Sequence, residues 1–515
     1  MNHWIIAPVV LPALMAPLIA FVMRHDALLA RSASFAATVS LVAICTGLMV
    51  IAGDGAVHVY KLGDWPAPFG IVLVLDRLSA VMILLTSVLA LITLTYAVAS
   101  GWDQHGRHFH ALFQFQLMGI CGAFLTGDAF NLFVFFEVLL IASYGLMIHS
   151  GGRKRLGAGL QYVIMNLAGS TLFLFALGTI YATTGTLNIA DLAVKVREIP
   201  LEEAALLRVA AILLLMVFAV KAAIFPVQFW LPGTYTHAPA PVAALFAIMT
   251  KVGAYAILRF YTVIFAPDVA AVGSLISDWL LPAAIVTAFI GALGVLGTRR
   301  LTPLIAYSVV ASMGTLMIGI AAFSPAAASA ALYYLVHSTF AAAALFLLAD
   351  LIVLRRGPAR DALAPAPAFP QSGLLAALFF AGAIGMAGMP PLSGFLGKLL
   401  ILDGVAGHPW QAGLWFTILA SSLLLIVGFA RAGSLLFWSR PDAEAEGEDT
   451  APTEDDAPPP SLPAWSIASV VICLAMMALL SGFAGPASRF LEATTGDLFD
   501  PSAYISAVLE TGPEG

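Results

Sequence analysis

Apolar runs of about twenty residues follow one another from end to end of this 515-residue chain, with short polar loops between them. At 1.5 Å rise per residue, each run is long enough as a helix to cross the hydrocarbon core of a bilayer. In that medium every backbone polar group must be satisfied internally, which leaves helices or a closed barrel. The expected fold class is an all-α integral membrane protein. About fourteen helices can be drawn, near residues 4–23, 33–52, 78–99, 109–126, 129–149, 156–183, 206–231, 239–265, 272–297, 302–323, 326–354, 372–404, 411–438 and 464–484. Composition agrees: 61% of residues are hydrophobic and 10% charged, against roughly 25% charged in soluble domains. The opening stretch MNHWIIAPVVLPALMAP has no basic region before its apolar run and reads as a retained first span.

The loops carry the orientation. The odd-numbered loops hold Arg24 and Arg31, Arg107, GGRKR at 151–155, Arg299 and Arg300, and Arg355, Arg356 and Arg360; only the short seventh is bare. The even loops hold Lys61 and Arg77, then Lys195 and Arg197 diluted by Asp191, Glu198, Glu202 and Glu203. Basic residues mark the cytoplasmic side, so the odd loops face the cytoplasm and both termini face away from it. The acidic, proline-rich stretch 441–462 then becomes a cytoplasmic linker whose composition suits a solvated tether or, alternatively, a partner's docking site.

Cys45, Cys121 and Cys473 are far apart in apolar runs, with no C-x-x-C and no close Cys/His pair. A disulfide framework, a zinc site and an iron–sulfur cluster are therefore not expected. No glycine-rich phosphate loop follows a strand. The expectation is a chain without cofactor, metal centre or nucleic-acid partner, surrounded by lipid.

Against that background the charged residues inside the runs stand out. Lys221, Lys251 and Lys398 lie deep in expected helices, each at a cost of ~2.5–3.5 kcal/mol on insertion scales, or on the order of 8–10 kcal/mol together. Glu137 is near mid-membrane in NLFVFFEVLLIASYGL, and His337 in YYLVHSTFAAAALFLL adds a group of near-neutral intrinsic titration. A lysine at a helix end can instead snorkel to the interface, and a membrane histidine can be a plain interhelical hydrogen bonder. Arg259 and Arg431 are off-centre and read as interfacial or structural, and Asp350 as a helix-end partner of Arg355 and Arg356. Pro226 and Pro232 follow Lys221, and Pro390 and Pro391 precede Lys398. A proline inside a span removes a helical hydrogen bond, and such broken backbone survives only where protein or cavity water satisfies it. Broken helices at matching places in two halves point to a transport site. The breaks fall in the seventh and twelfth helices and divide the chain into helices one to three (1–100), two five-helix units (101–265 and 266–440), the linker (441–462), and a last helix with its tail (463–515).

The stretches KAAIFPVQFWLPGTYTHAPAPVAALFAIMTKVGAYAILR, GDAFNLFVFFEVLLIASYGL and GMPPLSGFLGK resemble the antiporter-like subunits shared by respiratory complex I and the multisubunit Mrp cation/proton antiporters. Within that family the fifth-helix stretch is more similar to the Mrp form than to the complex I forms, and the length resembles the Mrp D subunit rather than the much longer A subunit. The resemblance implies fourteen helices with two inverted five-helix repeats, helices four to eight and nine to thirteen, in a bacterial inner membrane. It implies partners, the other Mrp subunits, and exchange of H⁺ for Na⁺ or K⁺ by a secondary transporter rather than an enzyme. It also implies that Glu137 and Lys221 form a coupled ion pair and that Lys251, His337 and Lys398 continue a proton track across the midplane. One departure is visible: many relatives have a lysine a turn after the eleventh-helix histidine, where this chain has Ala341. The alternative reading is a proton-pumping subunit of complex I or a membrane-bound hydrogenase; a passive scaffold that keeps its ancestral charges is a third.

Overall fold

The computed structural model describes residues 2–439 and 462–509, so the acidic linker lies, except for Leu462, outside the described residues. Helices α1 (Ala7–Pro17, prolonged by a π-helical turn Leu18–Val22), α2 (Ala27–Ala52) and α3 (Arg77–Ala99) come first. Then follow α4 (Phe109–Leu125), α5 (Ala129–Met147), α6 (Arg153–Thr184), the short α7 (Ile189–Glu198), α8 (Ala205–Ala222), α9 (Trp230–His237), α10 (Ala240–Phe246) and α11 (Met249–Val263). The second half contains α12 (Leu275–Gly297), α13 (Leu301–Ala321), α14 (Pro325–Arg355), α15 (Ser372–Ala387), α16 (Ser393–Gly404) and α17 (Gln411–Phe437). After the linker come α18 (Ala464–Gly482), α19 (Ala484–Phe499) and α20 (Ser502–Leu509). Among the described residues eleven helical runs are long and apolar enough to span, α10 and α11 counting as one, and Ala7–Val22, Phe109–Leu125 and Ser372–Ala387 are apolar but shorter.

Two features correct the all-α expectation and the bare tail. The loop after α2 forms an antiparallel hairpin, β1 (His58–Lys61) with β2 (Val72–Leu75), in register His58 to Leu75 and Lys61 to Val72. Strands of four residues, β2 being buried throughout, show no alternation that a reader of the sequence could use. The tail forms α19 and α20, and Tyr504 of α20 packs on Arg259.

Burial sorts the spans into an inner and an outer set. The run Ala240–Val263 is buried along its whole best window, Leu301–Ala321 for 94% and Pro325–Arg355 for 83%, against 28% for Ala464–Gly482. Lys251 and His337 are therefore on the most enclosed helices.

Two interruptions break spans, after α8 and after α15. The first ends α8 at Ala222: Ala223 turns left-handed (φ 53°), and Pro226 lies in the loop that follows. The stray groups find partners, Trp230 Nε1 donating to Val220 O (2.9 Å) and the Phe225 amide to Thr287 Oγ1 (2.8 Å). Pro232 is not in this break. It sits in the first turn of α9, where a missing amide hydrogen costs nothing. The second break follows α15, with Gly388 at φ +80° and Pro390 and Pro391 in the turn. Between α10 and α11 the helix tightens without breaking: Ala247 and Ile248 keep right-handed helical dihedrals with i to i−3 bonds, and Tyr235 Oη donates to Phe246 O at 2.6 Å.

The loops gather on two opposite faces as the alternation of charge requires. On one, Arg31 pairs with Asp103, Arg155 donates to the carbonyls of His149 and His237, and Arg300 pairs with Asp361. On the other, Arg77 pairs with Asp497 and Arg197 with Asp268, and Asp128 bridges to Asn188.

Candidate functional site

Lys221 is the last but one residue of α8, so its ammonium sits at the negative end of that helix's dipole. It is 6% exposed. Its Nζ donates to Asn166 Oδ1 on α6 at 3.2 Å and lies 5.7 Å from the centre of the Phe136 ring. Glu137, half-buried on α5, accepts a hydrogen bond from Ser170 Oγ, also on α6. Among the described residues Glu137 and Lys221 make no salt bridge, although each lies in the other's electrostatic reach. Asn166 and Ser170 are one helical turn apart, so one face of α6 holds the lysine at one step and the carboxylate at the next.

A cavity of ≈ 10 Å³ is lined by Lys221, Asn166, Trp230, Met249 and Val252 among others. That is about the least volume that holds one water, and it opens from Lys221 onto α11. There Gly253 lets the two helices touch: a Cβ on it would lie 2.5 Å from the Ala222 nitrogen. Lys251, in the first turn of α11, is wholly buried and its Nζ has no hydrogen-bond partner among the described residues. Gln116 Oε1, Thr250 Oγ1, Ser312 Oγ and His337 Nε2 are in the same condition. Buried polar atoms are nearly always satisfied by protein or water. These atoms lie on α4, α11, α13 and α14, and buried polar atoms without a protein partner are where water is held.

His337, fully buried on α14, bonds through Nδ1 to Ser393 Oγ at 2.8 Å, the first residue of α16, and lies within electrostatic range of both Lys251 and Lys398. Ala341, one turn on, is buried and offers no titratable group. Lys398 donates to Ala387 O and to Ser422 Oγ, both at 2.8 Å. Ala387 is the last residue of α15, so this ammonium too rests at the carboxyl end of a broken half-helix. Lys221 does so from before its break and Lys398 from after it. Gly388 makes the room, since a Cβ there would lie 2.6 Å from the lysine's Cδ.

Other charges have different settings. Arg259, 3% exposed on α11, is held by Asp76 at 2.5 Å and flanked by the Tyr255 and Tyr504 rings, which makes it structural. Arg431 is exposed and donates to Thr298 O. Asp350 departs from expectation: it accepts from Tyr96 Oη (2.8 Å) and Trp102 Nε1 (2.9 Å), while Arg355 turns to Gln371 and Arg356 to the carbonyls of Arg360, Ala362 and Ala364. Sequence reasoning passed over Asn166, Ser170 and Ser393, because small polar residues inside a helix are too common to stand out.

Residues 126–427 match the model of the NADH:quinone oxidoreductase/Mrp antiporter transmembrane family. The chain is 37% identical to the D subunit of a probable K(+)/H(+) antiporter of Rhizobium meliloti, over 100% of this chain and 99% of the relative. It is 36% identical to the D subunit of the Na(+)/H(+) antiporter of Bacillus subtilis, over 99% and 100%. Among solved structures it is similar to a chain of the Mrp complex from Dietzia, with TM-score 0.86, 30% identity and coverage of 99% and 100%. A chain of respiratory complex I from Thermus thermophilus shares the fold, with TM-score 0.78 at 24% identity.

Proposed function

This chain belongs to the NADH:quinone oxidoreductase/Mrp antiporter transmembrane family, and we propose that within it the chain is the D subunit of a multisubunit Na⁺/H⁺ or K⁺/H⁺ antiporter of the bacterial inner membrane. The other Mrp subunits are its partners. The relatives at 36–37% identity named as antiporter D subunits favour this over a complex I pump, with which it shares the fold at 24%. Its helices read as fourteen spans, with α4–α11 and α12–α17 as inverted repeats, each containing a broken helix with a lysine at the break.

The observation that carries the reading is the row Lys221, Lys251, His337, Lys398, reached from Glu137 through α6 and accompanied by unpaired buried polar atoms. A proton on Lys221 is held by the helix end and Asn166. If the gap to Glu137 closes, a contact pair at about 4 Å gains roughly 4 kcal/mol at an effective dielectric near 20. If it opens, the proton passes by way of the small cavity to Lys251, then His337, then Lys398. The cation's movement elsewhere in the complex biases that gap. Where relatives have a lysine and this chain has Ala341, the proton crosses from His337 by water.

The test is exchange in vesicles containing the whole complex. Glu137→Gln, Lys221→Ala and Lys251→Ala each abolish antiport while the complex still assembles. An assembled Lys221→Ala complex that exchanges at the normal rate would remove that residue from the mechanism.

A further inference from the structure

The face that bears the odd loops opens into a cavity of ≈ 560 Å³ at the junction of the two halves. Arg153, Lys154 and Arg155 of α6 line one side of it and Arg300 and Arg360 of the second half the other, against two acidic residues, Asp350 and Asp361. Both carboxylates are engaged, Asp350 by Tyr96 and Trp102 and Asp361 by Arg300 and Thr302. Arg155 donates to the carbonyls of His149 and His237, which ties the turn before α6 to the end of α9. Arg153, Lys154 and Arg360 make no ion pair among the described residues and are exposed.

The backbone adds to that positive field. Gly151 and Gly152, at φ 68° and 101°, lead into α6, whose first amides are capped by no side chain. Both glycines line the cavity, so the positive end of a 32-residue helix opens onto it. Free amides at a helix start with arginines beside them suit a phosphate group. The volume lies within the ~300–1,000 Å³ of small-molecule sites, more than a bare ion fills. Arg153 also heads an apolar stripe. Leu156, Leu160, Ile164 and Leu167 follow it at helical spacing, each more than half exposed. At 1.5 Å per residue the stripe runs about 20 Å, enough for one leaflet of a bilayer whose hydrocarbon core is ~30 Å thick.

We propose that this cavity is a phosphate site that takes the headgroup of an anionic phospholipid from the cytoplasmic leaflet. Arg153, Lys154, Arg360 and the first amides of α6 surround the phosphate, and one acyl chain lies along the Leu156–Leu167 stripe. The phosphodiester supplies the negative charge that the three unpaired cations lack. The stripe favours a lipid over a free phosphate, which has no chain to lay on it. Basic pockets on the cytoplasmic side of spans hold anionic headgroups in this way. Arg360 is brought to the wall by the Arg356 guanidinium, which donates to the carbonyls of Arg360, Ala362 and Ala364. A bound lipid therefore links α6 of the first half to the loop between α14 and α15 of the second. The site does not depend on the reading of the central row.

Binding of radiolabelled phosphatidylglycerol to the whole complex in phosphatidylcholine vesicles decides this. The unmodified complex binds it saturably, and Arg153→Gln with Lys154→Gln and Arg360→Gln weakens that binding about tenfold or more while the complex still assembles. Arg24→Gln with Arg107→Gln removes exposed cations of the same face outside the cavity and leaves the binding unchanged. Equal weakening by both variants, or none by the first, would overturn the site. In a second arm, radiolabelled inorganic phosphate is offered to the delipidated complex. Phosphate binding that the first variant loses, with no saturable lipid, would keep the phosphate site and overturn the lipid as its source.

Discussion

At the scale of single residues, the consequential contact is one that is not made. Glu137 and Lys221 are each held by α6, through Ser170 and Asn166, in place of each other. A hydrogen bond to a charged group contributes ~1.5–3 kcal/mol, comparable to what direct pairing offers, so the two arrangements are close in energy and can exchange. Asn166→Leu removes the acceptor from Lys221 and leaves the ammonium free to collapse onto Glu137. The expected result is about a tenfold loss of exchange, the rate equivalent of ~1.4 kcal/mol, with the complex assembled and the pH optimum displaced. Asn166→Asp, which keeps an acceptor, retains more activity; a normal rate and pH profile in Asn166→Leu would show that α6 is mere packing. The five charged or titratable side chains were legible because each is expensive in lipid and so announces itself. Asn166, Ser170 and Ser393 were not, since nothing in NLAGS or PLSGF is costly. Asp350 was seen but given the wrong partners: spacing along its own helix pointed to Arg355 and Arg356, and only tertiary structure brings Tyr96 and Trp102 to it.

At the scale of helices, the interruptions position the amines, and glycines permit the approach. Gly394, the second residue of α16, faces α15 and α14: a Cβ there would lie 2.1 Å from the Gly385 carbonyl oxygen and 2.7 Å from His337 Nε2. The first of these is backbone and cannot rotate aside. Gly394→Ala therefore pushes α16 off α15, loosens the His337–Ser393 bond, and destabilises by about 1–3 kcal/mol as overpacking does. A lower thermal midpoint of the purified complex checks it, with Gly413→Ala as control, since a Cβ on that α17 glycine meets nothing within 4 Å. Equal midpoints for the two variants would count against the packing argument. Prolines revealed both breaks. Pro232, however, belongs to the first turn of a new helix. The tightened turn before Lys251 left no trace in FAIMTKVGAY, where the Phe246 carbonyl accepts from the Tyr235 hydroxyl of α9. Hairpin and tail helices were missed for the related reason that short elements resting on a larger body are set by that body rather than by their own pattern.

At the scale of the molecule, the direction of everything above depends on which face is which. The structure brings Arg155, Arg300 and Arg360 together around one cavity on the face that also bears the Arg31–Asp103 pair, and Arg77, Arg197 and the hairpin to the other. The excess of basic residues assigns the first face to the cytoplasm. Thiol labelling tests this cleanly, for Cys45, Cys121 and Cys473 are buried and give no background with a hydrophilic reagent. Lys154 and Glu202 are exposed on the two faces. In right-side-out vesicles an impermeant maleimide should modify Glu202→Cys and spare Lys154→Cys, and in inverted vesicles the reverse. The opposite pattern would turn the molecule over and put the cavity lined by Arg153, Lys154 and Arg360 outside the cell.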